Sequence, residues 1–218
     1  LMEANPGGAP SNVLAMLKKL NHSVSFIGKV GDDIFGRYLK KVLDDLGIGT
    51  ENLIVSNEFN TTLAFVHTKH GGERDFSFYR KMGADTQLTE KEVDIRILQN
   101  AKIFHFGSVS MTTEPAASAT EYALLYAKKS GALRSFDPNL RVPLWDNLQN
   151  AKERIKFGLS QCDILKIAEE ELEFVTGCTD IEKGVRALRS NYRIPLIGVT
   201  CGKKGSSLFY ADEHCTDG

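Results

Sequence analysis

Residues 24–47 read VSFIGKVGDDIFGRYLKKVLDDLG. Val24 to Val30 is a short apolar run of the kind that lies inside a sheet covered on both faces. Gly31-Asp32-Asp33 breaks that run. Phe35, Tyr38, Leu39, Val42, Leu43 and Leu46 then recur along one helical stripe, and Gly47 stands where a left-handed residue ends a helix. Strand, glycine turn and amphipathic helix in this order form one β–α unit, and the alternation continues along the chain. Further stripes are Val13, Met16, Leu17 and Leu20; Ala119, Tyr122, Ala123, Tyr126 and Ala127, closed by Gly131; and weaker ones at Ile155 and Leu159, then Ile181, Val185 and Leu188. Between them lie apolar runs at 103–109, 133–136, 164–167 and 196–199. The pattern predicts one α/β domain over 1–218, a doubly wound, mostly parallel sheet with helices on both faces.

Composition fits this reading. The 218 residues are 42% hydrophobic and 25% charged, ordinary for a globular protein with a sizeable core. A net charge of −1 gives no electrostatic reason to expect nucleic acid or an anionic membrane surface as partner. No apolar run approaches the ~18 residues needed to span a bilayer. The four cysteines, at 162, 178, 201 and 215, show no paired spacing and read as reduced thiols of a cytoplasmic protein, an organelle being the other compartment open to such a chain. No targeting segment is visible at Leu1-Met2-Glu3.

One stretch departs from the alternation. Leu63–His67 and Asp75–Arg80 are strand-like runs joined by Lys69-His70-Gly71-Gly72-Glu73 with no helix between, which predicts a β-hairpin within 61–80. Its second arm alternates Phe76, Phe78 and Arg80 with Ser77 and Tyr79, so both faces carry aromatic or polar groups. Such a hairpin is either an edge decoration or a lid over a cleft.

In an open α/β sheet, ligands bind beyond the carboxyl ends of the strands. Five polar clusters are expected on that edge of one sheet: Gly31-Asp32-Asp33, Gly107-Ser108, Asp137-Pro138-Asn139-Leu140-Arg141, Glu169-Glu170-Glu171, and Thr200-Cys201-Gly202-Lys203-Lys204-Gly205. Each has a plain alternative: first-turn carboxylates favoured by a helix dipole, an Asp-Pro-Asn turn, a hairpin loop. A sixth cluster, Pro6-Gly7-Gly8-Ala9-Pro10-Ser11-Asn12, runs into the first helix. It is a plain turn or a loop where a ligand approaches the backbone. Together the clusters suggest phosphoryl transfer, with glycine loops and cationic side chains for phosphates and the carboxylates of Glu171 and Asp137 for Mg²⁺ through its waters. Neither a Gly-x-x-x-x-Gly-Lys-Ser/Thr loop nor a Gly-x-Gly-x-x-Gly after a strand is present.

The runs GGAPSN at 7–12 and IGKVGDDIFG at 27–36 resemble the N-terminal signature of the ribokinase-like (PfkB) carbohydrate kinases. FSFYRKMGAD at 76–85, IFHFGSVSM at 103–111, SFDPNLRVPLW at 135–145, DILKIAEEELEFVTG at 163–177 and VTCGKKGS at 199–206 look like the fructokinases of that family. The resemblance implies ATP-dependent phosphorylation of a sugar, fructose first, with ribose or 2-keto-3-deoxygluconate, or a binding role without turnover, as alternatives. It implies Gly7, Gly8, Asn12, Asp33 and Arg80 at the sugar, and the hairpin as part of a lid that also pairs two subunits. It places Lys166, Thr200, Gly202 and Gly205 at the nucleotide, Arg141 at the transferred phosphate, and Glu171 and Asp137 at Mg²⁺, with K⁺ as a further ion.

Two substitutions depart from the family pattern. Asn21 stands where glycine is common, and Ala168 occupies the first position of an Asn-x-x-Glu motif that ends on Glu171. The family's first strand and its Gly-Ala-Gly-Asp motif, which carries the catalytic base, are not found within 1–218. By resemblance the chain is truncated, and residues 1–218 alone are expected to be inactive.

Overall fold

The computed structural model describes residues 3–68, 74–211 and 213–217. It divides into two compact units, Leu1–Asp94 with Thr113–Ala119, and Ile95–Thr112 with Thr120–Gly218.

In the first unit the β–α reading of 24–47 is realised. Strand β1 (Ser25–Gly31) leads through helix α2 (Ile34–Asp45) to a parallel partner, β2 (Gly49–Ser56), with helix α1 (Ala9–Lys19) preceding them. The core between them is Val30, Leu43, Ile48 and Leu53, with Leu14, Ala15, Val24, Phe26 and Leu39 packed against it. The inner face of α1 therefore differs from the expected stripe. Leu14 and Ala15 turn inward, whereas Met16 and Leu20 are 59% and 60% exposed. Adjacent apolar residues in 13–17 make two overlapping stripes, and the sheet beneath the helix selects between them. β2 was not legible as an apolar run, because Glu51 and Asn52 interrupt it.

The predicted hairpin is β3 (Leu63–Thr68) paired antiparallel with β4 (Arg74–Tyr79), from Leu63 opposite Tyr79 to Thr68 opposite Arg74. Its expected turn, 69–73, lies outside the described residues. Phe65 meets Tyr79 edge-on at 5.3 Å, and Phe76 stacks on Phe78 at 6.0 Å, so both faces carry aromatic rings as the alternation predicted.

Both feet of the hairpin are tied to buried polar groups. Asp33 caps α2 by accepting from the Phe35 and Gly36 N–H groups at 3.0 and 2.8 Å. The same carboxylate accepts from the Thr61 N–H at 2.7 Å and the Thr61 hydroxyl at 2.9 Å. The Gly31 N–H donates to the Thr61 hydroxyl at 3.0 Å. A side chain at Gly31 would lie 2.6 Å from the Phe59 carbonyl, and one at Gly36 would lie 2.0 Å from the Gly31 carbonyl. The spacing of GDDIFG is therefore that of a close backbone contact. At the other foot Arg80, 9% exposed, donates from Nε to Asp85 at 2.7 Å, and the Thr62 hydroxyl donates to the same carboxylate.

The second unit is built on one six-stranded sheet. Its strands in chain order are β5 (Ile103–Gly107), β6 (Leu133–Asp137), β7 (Ile164–Ala168), β8 (Leu196–Thr200), β9 (Ser206–Tyr210) and β10 (Glu213–Asp217). The spatial order is β10-β9-β8-β7-β6-β5, parallel from β5 to β8 and antiparallel from β8 to β10. Its helices are α3 (Ile95–Gln99), α4 (Ala116–Lys129) from Thr120 onward, α5 (Leu148–Gln161), α6 (Glu169–Thr176) and α7 (Ile181–Tyr192). Phe106, Phe136, Leu165, Ile197 and Phe209 stand opposite one another across five strands, none more than 6% exposed. Helix α5 approaches this row so closely that a Cβ at Gly158 would fall 2.3 Å from the Phe136 ring.

The alanine and valine stripes of α4 and α7 are buried as predicted, with Ala119, Ala123, Ala127, Val185 and Leu188 at 3% exposure or less. Only four of the five expected strand-end clusters share this sheet. Gly31-Asp32-Asp33 follows β1, which is laddered to β2 in a separate two-stranded sheet. Apolar runs specify that a strand is buried but not which strand it pairs with.

Two stability outcomes follow from these contacts. Burial alone would raise the Asp33 pKa, but the hydrogen bonds from Thr61, Gly36 and Phe35 outweigh it and hold the carboxyl below its ordinary 3.8. Its contribution is therefore complete at neutral pH and lost as pH falls below that value. Asp33→Ala should cost about 2 kcal/mol at neutral pH in urea unfolding. The gap from wild type should narrow below pH 3.8, and a gap independent of pH would contradict the assignment. Gly158→Ala should cost about 1–3 kcal/mol by overpacking against Phe136, read as a lower unfolding midpoint at unchanged slope.

Candidate active site

The carboxyl ends of β5 to β8 carry the chemistry-bearing residues of the second unit. Side chains alternate along a strand, so the inward row through Phe106, Phe136 and Leu165 puts Gly107 and Asp137, at the ends of β5 and β6, on the opposite face together with Lys166, midway along β7. Asp137 and Lys166 meet there at 3.3 Å, the carboxylate 14% and the ammonium 46% exposed. Asp137 Oδ1 also accepts from the Asn139 N–H at 3.1 Å, which closes an Asx-turn over Pro138. Asn139 completes the turn with a left-handed φ of 45°. Asp137 Oδ2 accepts no hydrogen bond among the described residues.

Two buried groups hold this loop. The Ser108 hydroxyl, fully buried after β5, donates to the Pro138 carbonyl at 2.5 Å, and the Ser108 N–H donates to the same oxygen at 3.3 Å. Glu171, in the first turn of α6, accepts from the Leu140 N–H at 2.7 Å and from the Ala168 N–H at 2.9 Å, one on each oxygen. The acidic triplet is thus the first turn of a helix, and one of its members also reaches across to the neighbouring loop. Ala168 is the N-cap and has no side-chain acceptor, so the helix lacks the cap that asparagine would supply there. Arg141 bonds only to the Leu140 carbonyl, at 3.2 Å, and makes no ion pair among the described residues.

His105 completes the constellation and was not singled out in the sequence. It lies opposite Ser135, with Nδ1 3.0 Å from the serine hydroxyl. Burial is the main influence and drives its pKa below the ordinary 6.5; the charge of Asp137 opposes this and that of Lys166 reinforces it. The ring is therefore neutral at physiological pH. The available signal was a histidine within the apolar run IFHFG, but only the register between β5 and β6 shows what it faces.

The loop from Thr200 to Gly205 is a hairpin connection, since Thr200 pairs with Ser206 across antiparallel strands. Gly202 and Gly205 adopt φ of 57° and 92°, and the Cys201 N–H donates to the Gly205 carbonyl at 2.9 Å. Lys204 reaches back to Glu169 at 3.5 Å, linking this loop to α6. Thr200 stands opposite Ala168, so this loop begins beside the start of α6.

In the first unit Gly8 has φ 124°, and a Cβ there would lie 2.7 Å from the Ser11 hydroxyl oxygen. An added Cβ at Gly7 would meet nothing within 4 Å, so no internal packing explains that glycine. Asn12 is exposed. Its N–H donates to the Gly8 carbonyl at 3.0 Å, and its side-chain amide is unpaired among the described residues. Asp33 and Arg80, expected beside the sugar, have their carboxylate and guanidinium engaged at the hairpin feet.

Among the described residues no group of three or more His, Cys, Asp or Glu converges as a metal cage. Asp137 Oδ2, on a side chain only 14% exposed and without a donor among the described residues, fits a cation held largely through its own waters. Glu171, with both oxygens taken by N–H groups, fits that role less well.

Residues 2–216 match the pfkB family carbohydrate kinase profile. The chain is 39% identical over 213 residues to Fructokinase-2 of Solanum lycopersicum, covering 98% of this chain and 65% of that protein. It is 42% identical over 208 residues to Fructokinase-2 of Oryza sativa subsp. japonica, covering 95% and 62%. A solved fructokinase from Vibrio cholerae O395, in its fructose, ADP and calcium ion bound form, superposes with a TM-score of 0.88 at 32% identity, over 96% of this chain and 67% of that one. The chain spans just under two thirds of the length of the curated relatives. On the profile match over nearly its whole length and the identity to these relatives, the chain belongs to the pfkB family of carbohydrate kinases.

Proposed function

We propose that the protein containing this chain transfers the γ-phosphoryl group of ATP to a primary hydroxyl of fructose. The observation that carries this reading is the loop 137–141. It is held rigidly at a sheet edge and presents a guanidinium with no carboxylate partner beside a carboxylate with one open oxygen. Phosphoryl transfer needs little covalent chemistry from the protein, but it needs fixed positive charge where the transferred oxygens gain negative charge. Arg141 and Lys166 supply it. Lys166 is half exposed and pairs with Asp137, so its ammonium stands within reach of solvent at that corner.

Gly202 and Gly205 give the loop after Thr200 little side-chain bulk, which lets the nucleotide approach its backbone closely. Asp137 holds a water of the Mg²⁺ that accompanies ATP, and that ion's chemistry is neutralisation of charge on the phosphates. Glu171, each of whose oxygens already accepts one N–H, is the second carboxylate on that side and has less capacity left for the ion's waters. On the sugar side, Gly7 and Gly8 allow a close approach and the Asn12 amide offers both a donor and an acceptor to hydroxyl groups. The hairpin acts as a lid that excludes water, the competing acceptor. Its exposed rings, Phe65, Phe76 and Tyr79 at 41%, 39% and 68%, give it the apolar surface to pair with a second copy. Sugar and nucleotide are the small-molecule partners, and the cytoplasm is the proposed compartment. No helix among the described residues is long and apolar enough to cross a membrane.

Purified full-length protein, assayed by ADP release, is expected to prefer fructose over ribose and 2-keto-3-deoxygluconate. Preference for either of the other sugars would replace fructose in this reading, and no ATP-dependent turnover on any of them would end it. Arg141→Ala should lower kcat by about 10²–10³-fold with a smaller change in KM for fructose. A raised KM at unchanged kcat would place Arg141 in ground-state binding instead.

A further inference from the structure

Glu171 is a carboxylate 9% exposed, without an ion pair among the described residues. A charge removed from water costs several kcal/mol unless hydrogen bonds replace its hydration. Here the replacement is complete on the protein side: one oxygen accepts from Leu140, the other from Ala168, and the N-terminal turn of α6 favours the negative charge.

These donors belong to different segments. Ala168 ends β7, and Leu140 lies in the loop after β6. Leu140 is also the residue whose carbonyl receives the Arg141 guanidinium at 3.2 Å. The other end of the loop is held by Ser108 on the Pro138 carbonyl, and the left-handed Asn139 lies between the two ties.

We propose that Glu171 is a positioning residue. Its carboxylate clasps the Asp137–Arg141 loop to the start of α6 and so sets where Arg141 stands, and the clasp is complete without a cation. The role assigned to Arg141 rests on the phosphoryl-transfer reading; the clasp itself does not. The chemistry explains why a carboxylate is used. Both oxygens must accept, and glutamine would turn an N–H₂ group toward one of two N–H donors. Aspartate would fall short by a methylene. Glutamine at 171 is therefore nearly isosteric but breaks one tie.

The test is amide hydrogen exchange on the full-length protein without nucleotide, with EDTA present. Wild-type Leu140 should stay protected under chelation. In Glu171→Gln the Leu140 or Ala168 amide should exchange about tenfold faster or more, with Phe136 and Ile197 unchanged as a check on the sheet. In turnover assays, kcat of Glu171→Gln should fall about tenfold while the Mg²⁺ concentration for half-maximal rate moves less than twofold.

Unchanged protection in Glu171→Gln would overturn the proposal, as would loss of wild-type protection on chelation or a large Mg²⁺ shift at constant kcat. Should Glu171→Gln fail to fold, Ser108→Ala decides. It should speed exchange at Asn139 and leave Leu140 protected; Leu140 released to the same extent would show that Glu171 does not hold it. An intact exchange pattern in a protein inactive on every sugar would remove the kinase reading and leave the clasp standing.

Discussion

The register of the ladder from β5 to β8 is the constraint on which the candidate site depends. Phe106, Phe136, Leu165 and Ile197 lie opposite one another and are all but inaccessible to water. Burying each is worth about 1.5–3 kcal/mol, and a slip by one residue would turn each side chain to the other face. With that row held inward, the next residue of each strand must face the other way. This alternation is what brings Asp137 beside Lys166 and stands His105 one pair below them. Gly107, opposite Asp137, contributes no side chain to that corner.

Three carboxylates show how hydrogen bonding divides scaffold from chemistry. Asp33 accepts from three N–H groups and a hydroxyl, and it anchors the hairpin to the end of β1. Glu171 accepts from two N–H groups and anchors the phosphate-side loop. Asp137 accepts from one N–H and a lysine on a single oxygen and keeps the other open. All three lie in clusters that look alike in the sequence. They differ in remaining acceptor capacity, and Asp137 keeps one oxygen without a donor among the described residues.

Much of the fold was legible before any coordinates. Strand-turn-helix periodicity located five of the seven α-helices among the described residues and four strands of the main sheet, missing the short α3 and α6, and the absence of a helix between 63 and 80 marked the hairpin. Gly8 was readable as a position needing a special backbone. The misses share a cause: partners distant in sequence. β2 and the inner face of α1 depended on what they pack against. Thr61 and Ser108 read as ordinary polar residues until Asp33 and Pro138 were seen beside them, and the single histidine of IFHFG had no visible neighbour.

The amino-acid sequence alone determined the alternation of elements, the polar character of the strand ends and the family to which these motifs point, because hydrophobic period, capping and turn chemistry are local properties. Tertiary structure alone decided which strands share a sheet and which carboxylates gain hydrogen-bond donors from distant segments. Those outcomes follow from strand pairing and from the need of every buried polar group for a partner, and both are settled between residues about 30 positions apart, as Asp33 with Thr61 and Leu140 with Glu171 demonstrate.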